Sequence, residues 1–134
     1  MPWYYNPHTG GKKIPPLVQA ATKDRIVRYA RKHHAGKFTR IDVRFRGALC
    51  YIDAYTDPGD PPGKPPEGET RKQWVERLRK TPTYLCRIRY FGDSERWSFA
   101  FYTYAHEKYE PSFLLTGEDH GTPEEAFETC AFVL

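Results

Sequence analysis

Residues 38–56 read FTRIDVRFRGALCYIDAYT, and this stretch decides the fold. From Phe38 to Arg46 the residues alternate. Thr39, Ile41, Val43 and Phe45 fall on one side, and Arg40, Asp42, Arg44 and Arg46 on the other. Period-two alternation of apolar and charged residues is the signature of a strand with one buried and one solvated face. Gly47 marks a turn, and Leu49 to Thr56 runs back with Cys50, Ile52 and Ala54 inward and Tyr51, Asp53 and Tyr55 outward. The stretch predicts an antiparallel hairpin.

Working outward, the same pattern returns downstream. Tyr84 to Phe91 predicts a third strand, with Tyr84, Cys86, Ile88 and Tyr90 inward and Arg87 and Arg89 outward. Arg96 to His106 predicts a fourth. Trp97, Phe99, Phe101 and Thr103 point inward, and Ser98, Ala100, Tyr102, Tyr104 and His106 outward. Phe113 to Leu115 offers a fifth strand. Helical spacing begins at Leu17 behind Pro15 and Pro16, with Val18, Thr22, Ile26, Tyr29, Ala30 and His33 on one face and Gly36 as the stop. On that helix His33 is expected to pack at the end and His34 to meet solvent. Thr70-Arg71-Lys72-Gln73 and Thr122-Pro123-Glu124-Glu125 are both capping boxes. The first opens a helix to about Lys80, expected to bury Trp74 and Leu78. The second opens a short C-terminal helix burying Ala126, Phe127 and Cys130.

The predicted fold is therefore α+β, a four- or five-stranded antiparallel sheet with helices packed on one face. The order helix–hairpin–helix–hairpin suggests a duplicated αββ unit plus the C-terminal helix. Val43-Arg44-Phe45 and Ile88-Arg89-Tyr90 match across it. With 134 residues, one domain is expected. Residues 1–15 read as an N-terminal arm in which Trp3, Tyr4 and Tyr5 need something to pack on. Residues 57–69, with five Pro and three Gly, read as an extended exposed loop.

Hydrophobic residues at 39% supply a core, so wholesale disorder is excluded. No apolar run approaches the roughly 20 residues of a membrane helix, and residues 1–6 carry neither the basic head nor the apolar segment of a secretion signal. Cys50, Cys86 and Cys130 are widely spaced and odd in number, which predicts reduced thiols in the cytoplasm rather than a disulfide framework or zinc site. One Asn, two Gln and twelve Arg fit a thermophilic source. Net charge is +4, but residues 1–56 carry +8 and residues 107–134 carry −6. A basic front steers polyanions.

The outward face of the predicted sheet collects Arg40, Arg44, Arg46, Arg87 and Arg89 with Tyr51, Tyr55, Tyr102 and Tyr104. Guanidinium groups pair with phosphate, and tyrosine rings offer stacking platforms for unpaired bases. The expectation is a nucleic-acid-binding protein, with RNA or single strands favoured. The basic helix residues Lys23, Arg28, Arg31 and Lys32 are expected to add phosphate contacts. The same features fit an interaction module or homo-oligomer in which basic and acidic ends of different copies meet. A third reading is metal-independent RNA cleavage, with His106 as acid or base beside Asp53 and Arg89. Adjacent His33 and His34 point different ways on a helix, and Thr9 to Lys13 lacks phosphate-loop spacing, so neither a metal nor a cofactor is expected.

Overall fold

The computed structural model describes residues 9–134. Its elements run α1 (Pro16–His33), β1 (Arg40–Arg46), β2 (Leu49–Tyr55), α2 (Arg71–Lys80), β3 (Thr83–Tyr90), β4 (Trp97–Thr103), β5 (Lys108–Pro111), β6 (His120–Gly121) and α3 (Pro123–Cys130), closed by a 3₁₀ turn at Ala131–Val133. The six strands form one antiparallel sheet in the order β1-β2-β3-β4-β5, with the two-residue β6 also on β4. The fold is α+β, as the alternation predicts. Among the described residues no helix is long and apolar enough to cross a membrane.

The β1–β2 hairpin turns at Gly47 and Ala48. Gly47 has φ +60°, the backbone that a two-residue turn of type II′ reserves for glycine at its first position. Ile41, Val43, Cys50, Ile52, Ala54, Ile88 and Phe99 lie on one face and are buried, and α1 and α3 close over them. From α1 come Thr22, Ile26 and Ala30, spaced four apart on one stripe. From α3 come Pro123, Ala126, Phe127 and Cys130. Both predicted capping boxes form. Thr70 accepts from the Gln73 N–H and Thr122 from the Glu125 N–H, and each third-position side chain accepts from its cap's own N–H.

Four expectations are corrected. First, α2 buries nothing; Trp74 and Leu78 are only half-buried. The helix is held by its cap and by the preceding loop, where Arg71 donates to Asp60 and to the Pro61 and Gly63 carbonyls, and Arg77 pairs with Glu69. The order αββ does occur twice, but α1 packs into the core and α2 does not, so the halves are not equivalent in packing.

Second, the fifth strand is Lys108–Pro111, and Phe113 and Leu115 are exposed in a turn closed by Gly117 N–H donating to the Leu114 carbonyl. Three apolar residues in a row carry too little pattern to separate strand from turn.

Third, β4 stops at Thr103, and His106 lies in the following turn, where Glu107 has φ +53°. Fourth, His34 packs and His33 is exposed. At φ −133° His34 has left the helical path, which turns its ring onto Phe127 at 5.6 Å and its Nε2 to Glu128 at 2.6 Å. That hydrogen bond, against a smaller burial effect, holds the Glu128 carboxyl below its ordinary pKa.

The end of the arm is part of the structure. Lys12 N–H donates to the Tyr90 carbonyl, Ile14 N–H to the Gly47 carbonyl, and Ile14 is fully buried. Residues 12–14 thereby tie the β1–β2 turn to the end of β3. Trp3, Tyr4 and Tyr5 lie outside the described residues. Gly11 has φ +99°, and a Cβ there would sit 2.6 Å from the Tyr90 carbonyl oxygen; Gly10, at φ +76°, has open space around it. Gly10→Ala should therefore cost only the left-handed backbone, about 1 kcal/mol. Gly11→Ala should cost clearly more, because a ladder carbonyl cannot swing aside. Thermal unfolding of the two variants checks this, and equal losses would contradict the close approach.

Candidate functional site

The face of the sheet opposite α1 and α3 is built in register. One row runs Arg44, Tyr51, Arg87, Ala100 and Pro111 across β1 to β5, and the next runs Arg46, Leu49, Arg89, Ser98 and His120. Toward the other end, Arg40 pairs with Tyr55 and Asp42 with Asp53. Seven sequence-predicted residues (Arg40, Arg44, Arg46, Tyr51, Tyr55, Arg87 and Arg89) thus share this face by register, and Tyr102 joins them opposite Tyr109.

Two residues join that the sequence pattern missed. Between Ile52–Cys86 and Asp53–Tyr84 the β2–β3 register slips, so β3 carries Leu85 as an extra residue. A bulge of this kind puts the side chains on its two sides out of phase, so those before Leu85 face opposite to the alternation set by Cys86, Ile88 and Tyr90. Leu85 goes into the core at 1% exposure, and Tyr84, expected inward, turns onto the Arg/Tyr face. The Tyr84 N–H is taken by the Tyr104 hydroxyl at 2.8 Å, beyond the point where β3 and β4 stop pairing. Tyr109, on the unforeseen β5, is the other addition. The alternation Lys108-Tyr109-Glu110 after the turn was the available signal.

Five tyrosine rings now form a continuous chain. Tyr51 meets Tyr109 edge-on at 5.4 Å, Tyr109 meets Tyr102 at 5.0 Å, Tyr102 meets Tyr84 at 5.0 Å, and Tyr104 stands against both Tyr102 and Tyr84. Tyr51 and Tyr109 come from strands with β3 and β4 between them, and the small Ala100 in that row leaves room for their rings to meet. Guanidinium groups lie over three rings on this face: Arg40 over Tyr55 at 4.1 Å, Arg44 over Tyr51 at 5.1 Å and Arg87 over Tyr109 at 5.4 Å. Arg44, Arg46, Tyr51, Tyr84, Tyr102 and Tyr109 line an open depression of about 570 Å³. Ser98 and Ala100, expected to point outward on this face, are buried.

On the same face, opposite Tyr84, lies a buried carboxylate. The Asp53 side chain is 3% exposed, and its Oδ2 accepts from Arg44 Nε at 3.0 Å and Nη2 at 2.9 Å. Its Oδ1 has no hydrogen-bond partner among the described residues. Burial raises the Asp53 pKa, Arg44 pulls it back, and Asp42 across the strand pushes it up again, with a net rise. Burial works against the charge on Arg44 as well, but Asp53 outweighs it and holds the guanidinium firmly charged. Burial, aided by Asp53, also raises the Tyr109 hydroxyl, so it stays protonated at neutral pH. Arg89 is shifted the other way, first by burial and then by Arg87; it donates to the Gly10 carbonyl at 2.8 Å.

His106 is not brought to this constellation. From the exposed β4–β5 turn its Nδ1 bonds to Glu110 on β5. The basic residues of α1 are likewise elsewhere, because α1 packs against the core and not against the tyrosine face. Arg28 pairs with Asp24 on its own helix. Among the described residues no group of three His, Cys, Asp or Glu side chains is placed to hold a metal ion. In comparisons with known proteins, no family model matches the chain, and no curated protein or solved structure is significantly similar to it.

Removing Arg44 leaves Asp53 buried without its cation, a change that costs several kcal/mol in a fully buried pair. Arg44 is half exposed, so Arg44→Ala should cost about 1–3 kcal/mol at pH 7. The sign follows from the raised pKa of Asp53. The folded state holds that proton more tightly than the unfolded chain, so its contribution to stability is largest at low pH and falls as pH rises through the carboxylate range. Arg44→Ala should therefore unfold with nearly wild-type stability near pH 4 and lose it toward pH 7. Arg44→Ala with Asp53→Asn should flatten that slope. A pH-independent loss measured by denaturant titration would contradict the pairing.

Proposed function

We propose that this chain binds single-stranded nucleic acid, RNA foremost, on the Arg/Tyr face of its sheet. The observation that carries the reading is the linked set of five tyrosine rings, bordered by Arg40, Arg44, Arg46, Arg87 and Arg89, on a face left open by every helix in the core layer. Unpaired bases stack on such rings whatever their sequence, and guanidinium groups beside them meet the phosphates. Duplex DNA fits less well, since stacking rings engage unpaired bases, which a duplex does not present. Arg44 is committed to Asp53, so Arg46 and Arg89, at the hairpin end, are the cations assigned to phosphate.

The other two readings have less behind them. Cleavage of RNA needs an acid and a base facing the same bond, and His106 lies in a turn away from Asp53 and Arg89, bonded to Glu110 of β5. Head-to-tail association draws on opposite charges at the two ends of the chain. Part of that charge is spent within one molecule, where Arg25 bridges Glu95 and Glu124. Three buried free thiols suit a reducing compartment, in keeping with a cytoplasmic protein.

Fluorescence anisotropy with labelled single-stranded RNA and duplex DNA, at low and near-physiological salt, tests the reading. RNA should bind more tightly than duplex, with affinity falling steeply with salt. Tyr109→Ala should weaken RNA binding roughly tenfold, in line with one lost stacking contact. Tyr109→Phe, which keeps the ring, should bind as wild type. Equal affinities for all three proteins would remove the tyrosine face from the account.

A further inference from the structure

We infer that a bound strand extends from the tyrosine depression along β1 and β2 to a second, backbone-holding subsite at the end of α2. This rests on the nucleic-acid reading and specifies how much of the ligand the site takes. At that end a separate depression of about 240 Å³ is lined by Thr39, Arg40, Tyr55, Arg79 and Lys80. Three cations and a ring converge there from β1, β2 and α2, with the Thr39 hydroxyl just ahead of β1. Arg79 and Lys80 are in no part of the sheet; α2 delivers them.

The two depressions share one face. Side chains alternate along a strand, so Arg40 and Tyr55, each four residues from Arg44 and Tyr51, point to the same side. At about 3.3 Å per residue the separation is roughly 13 Å. Between them stand Asp42 and Asp53. Asp53 is buried and paired with Arg44, but Asp42 is not fully covered, so it repels a phosphate placed over the middle. The charge pattern therefore assigns phosphates to the two ends and sugar and base to the span between. A dinucleotide is too short to use both ends well.

The cations at the α2 end are available. Arg40 has no carboxylate within salt-bridge distance among the described residues and lies over Tyr55. Arg79 reaches Asp57 at 3.5 Å and Glu76 at 4.0 Å, and Lys80 reaches Glu76 at 3.7 Å. These are long, solvent-exposed pairs of little strength. Three cations face two carboxylates, which leaves the pocket positive. The absence of buried residues in α2 also gives this helix a use beyond core packing, since it contributes nothing to that core.

The test compares wild type with Arg79→Ala/Lys80→Ala, using mixed-sequence RNA of about two and about eight nucleotides. Neither side chain is buried, so the variant should fold, and its thermal unfolding is recorded alongside. Arg28→Ala/Arg31→Ala serves as a control that removes the same charge from α1, away from this face. Wild type should bind the longer RNA at least tenfold more tightly than the dinucleotide. Arg79→Ala/Lys80→Ala should lose most of that gain, keep wild-type affinity for the dinucleotide, and reduce the salt slope by roughly one unit. The α1 variant should retain the gain. If Arg79→Ala/Lys80→Ala binds the longer RNA as wild type does, or if the α1 variant loses as much, the second subsite is wrong while the tyrosine face stands. If wild type binds neither RNA, the tyrosine-face reading falls and the subsite with it.

Discussion

Asp53 stands in the middle of a sheet face that no core helix covers, and yet its side chain is almost wholly removed from water. A carboxylate in that position must be paired or neutralised. Arg44 supplies the pair from the neighbouring strand, and its guanidinium is placed to lie over Tyr51 at the same time. The tyrosines then do what helices do on the other face. Tyr84 stands opposite Asp53 across β2 and β3, and Tyr51, Tyr109, Tyr102 and Tyr84 meet one another edge-on along the same face. The open face is thus a self-covered aromatic layer anchored by one ion pair, in which each ring keeps part of its surface exposed. Side chains that stay half in water are the kind that exchange solvent for a flat ligand at small cost.

The second constraint is the single extra residue in β3. With Leu85 inserted, the core gains a leucine and the outer face gains Tyr84, so one bulge serves both layers. Without it the ring chain would lose Tyr84, leaving Tyr104 with Tyr102 as its one ring neighbour in that chain. The two layers are also linked through the arm. Ile14 is buried while the Gly10 carbonyl accepts from Arg89, so the same few residues seal the core and fix a cation of the outer face.

Much of this is legible in the sequence because its signals are local. Alternation over Arg40–Arg46 and Leu49–Tyr55 depends only on which residues want water, and both capping boxes are written within four consecutive residues. The misreadings have non-local causes. The bulge that turns Tyr84 over exists only in the pairing of β3 with β2; the eight residues of β3 alternate well enough alone to hide it. Tyr109 belongs to a four-residue strand whose partner sets its place. Trp74 and Leu78 give α2 an apolar stripe, but burial depends on where the proline-rich loop delivers the helix, beyond the core layer. His33 and His34 exchange roles because helical periodicity ends between them. Of the candidate site, the arginines and most tyrosines were readable; the contacts that make them one surface were not.

The proposed RNA site is the tyrosine layer itself. Chemical-shift mapping on labelled protein, titrated with a short single-stranded RNA, tests it most directly. Shifts concentrated at Tyr51, Tyr84, Tyr102 and Tyr109, with α1 and α3 unmoved, are the predicted result. Shifts confined to α1 and α3, or none at saturating RNA, would contradict it.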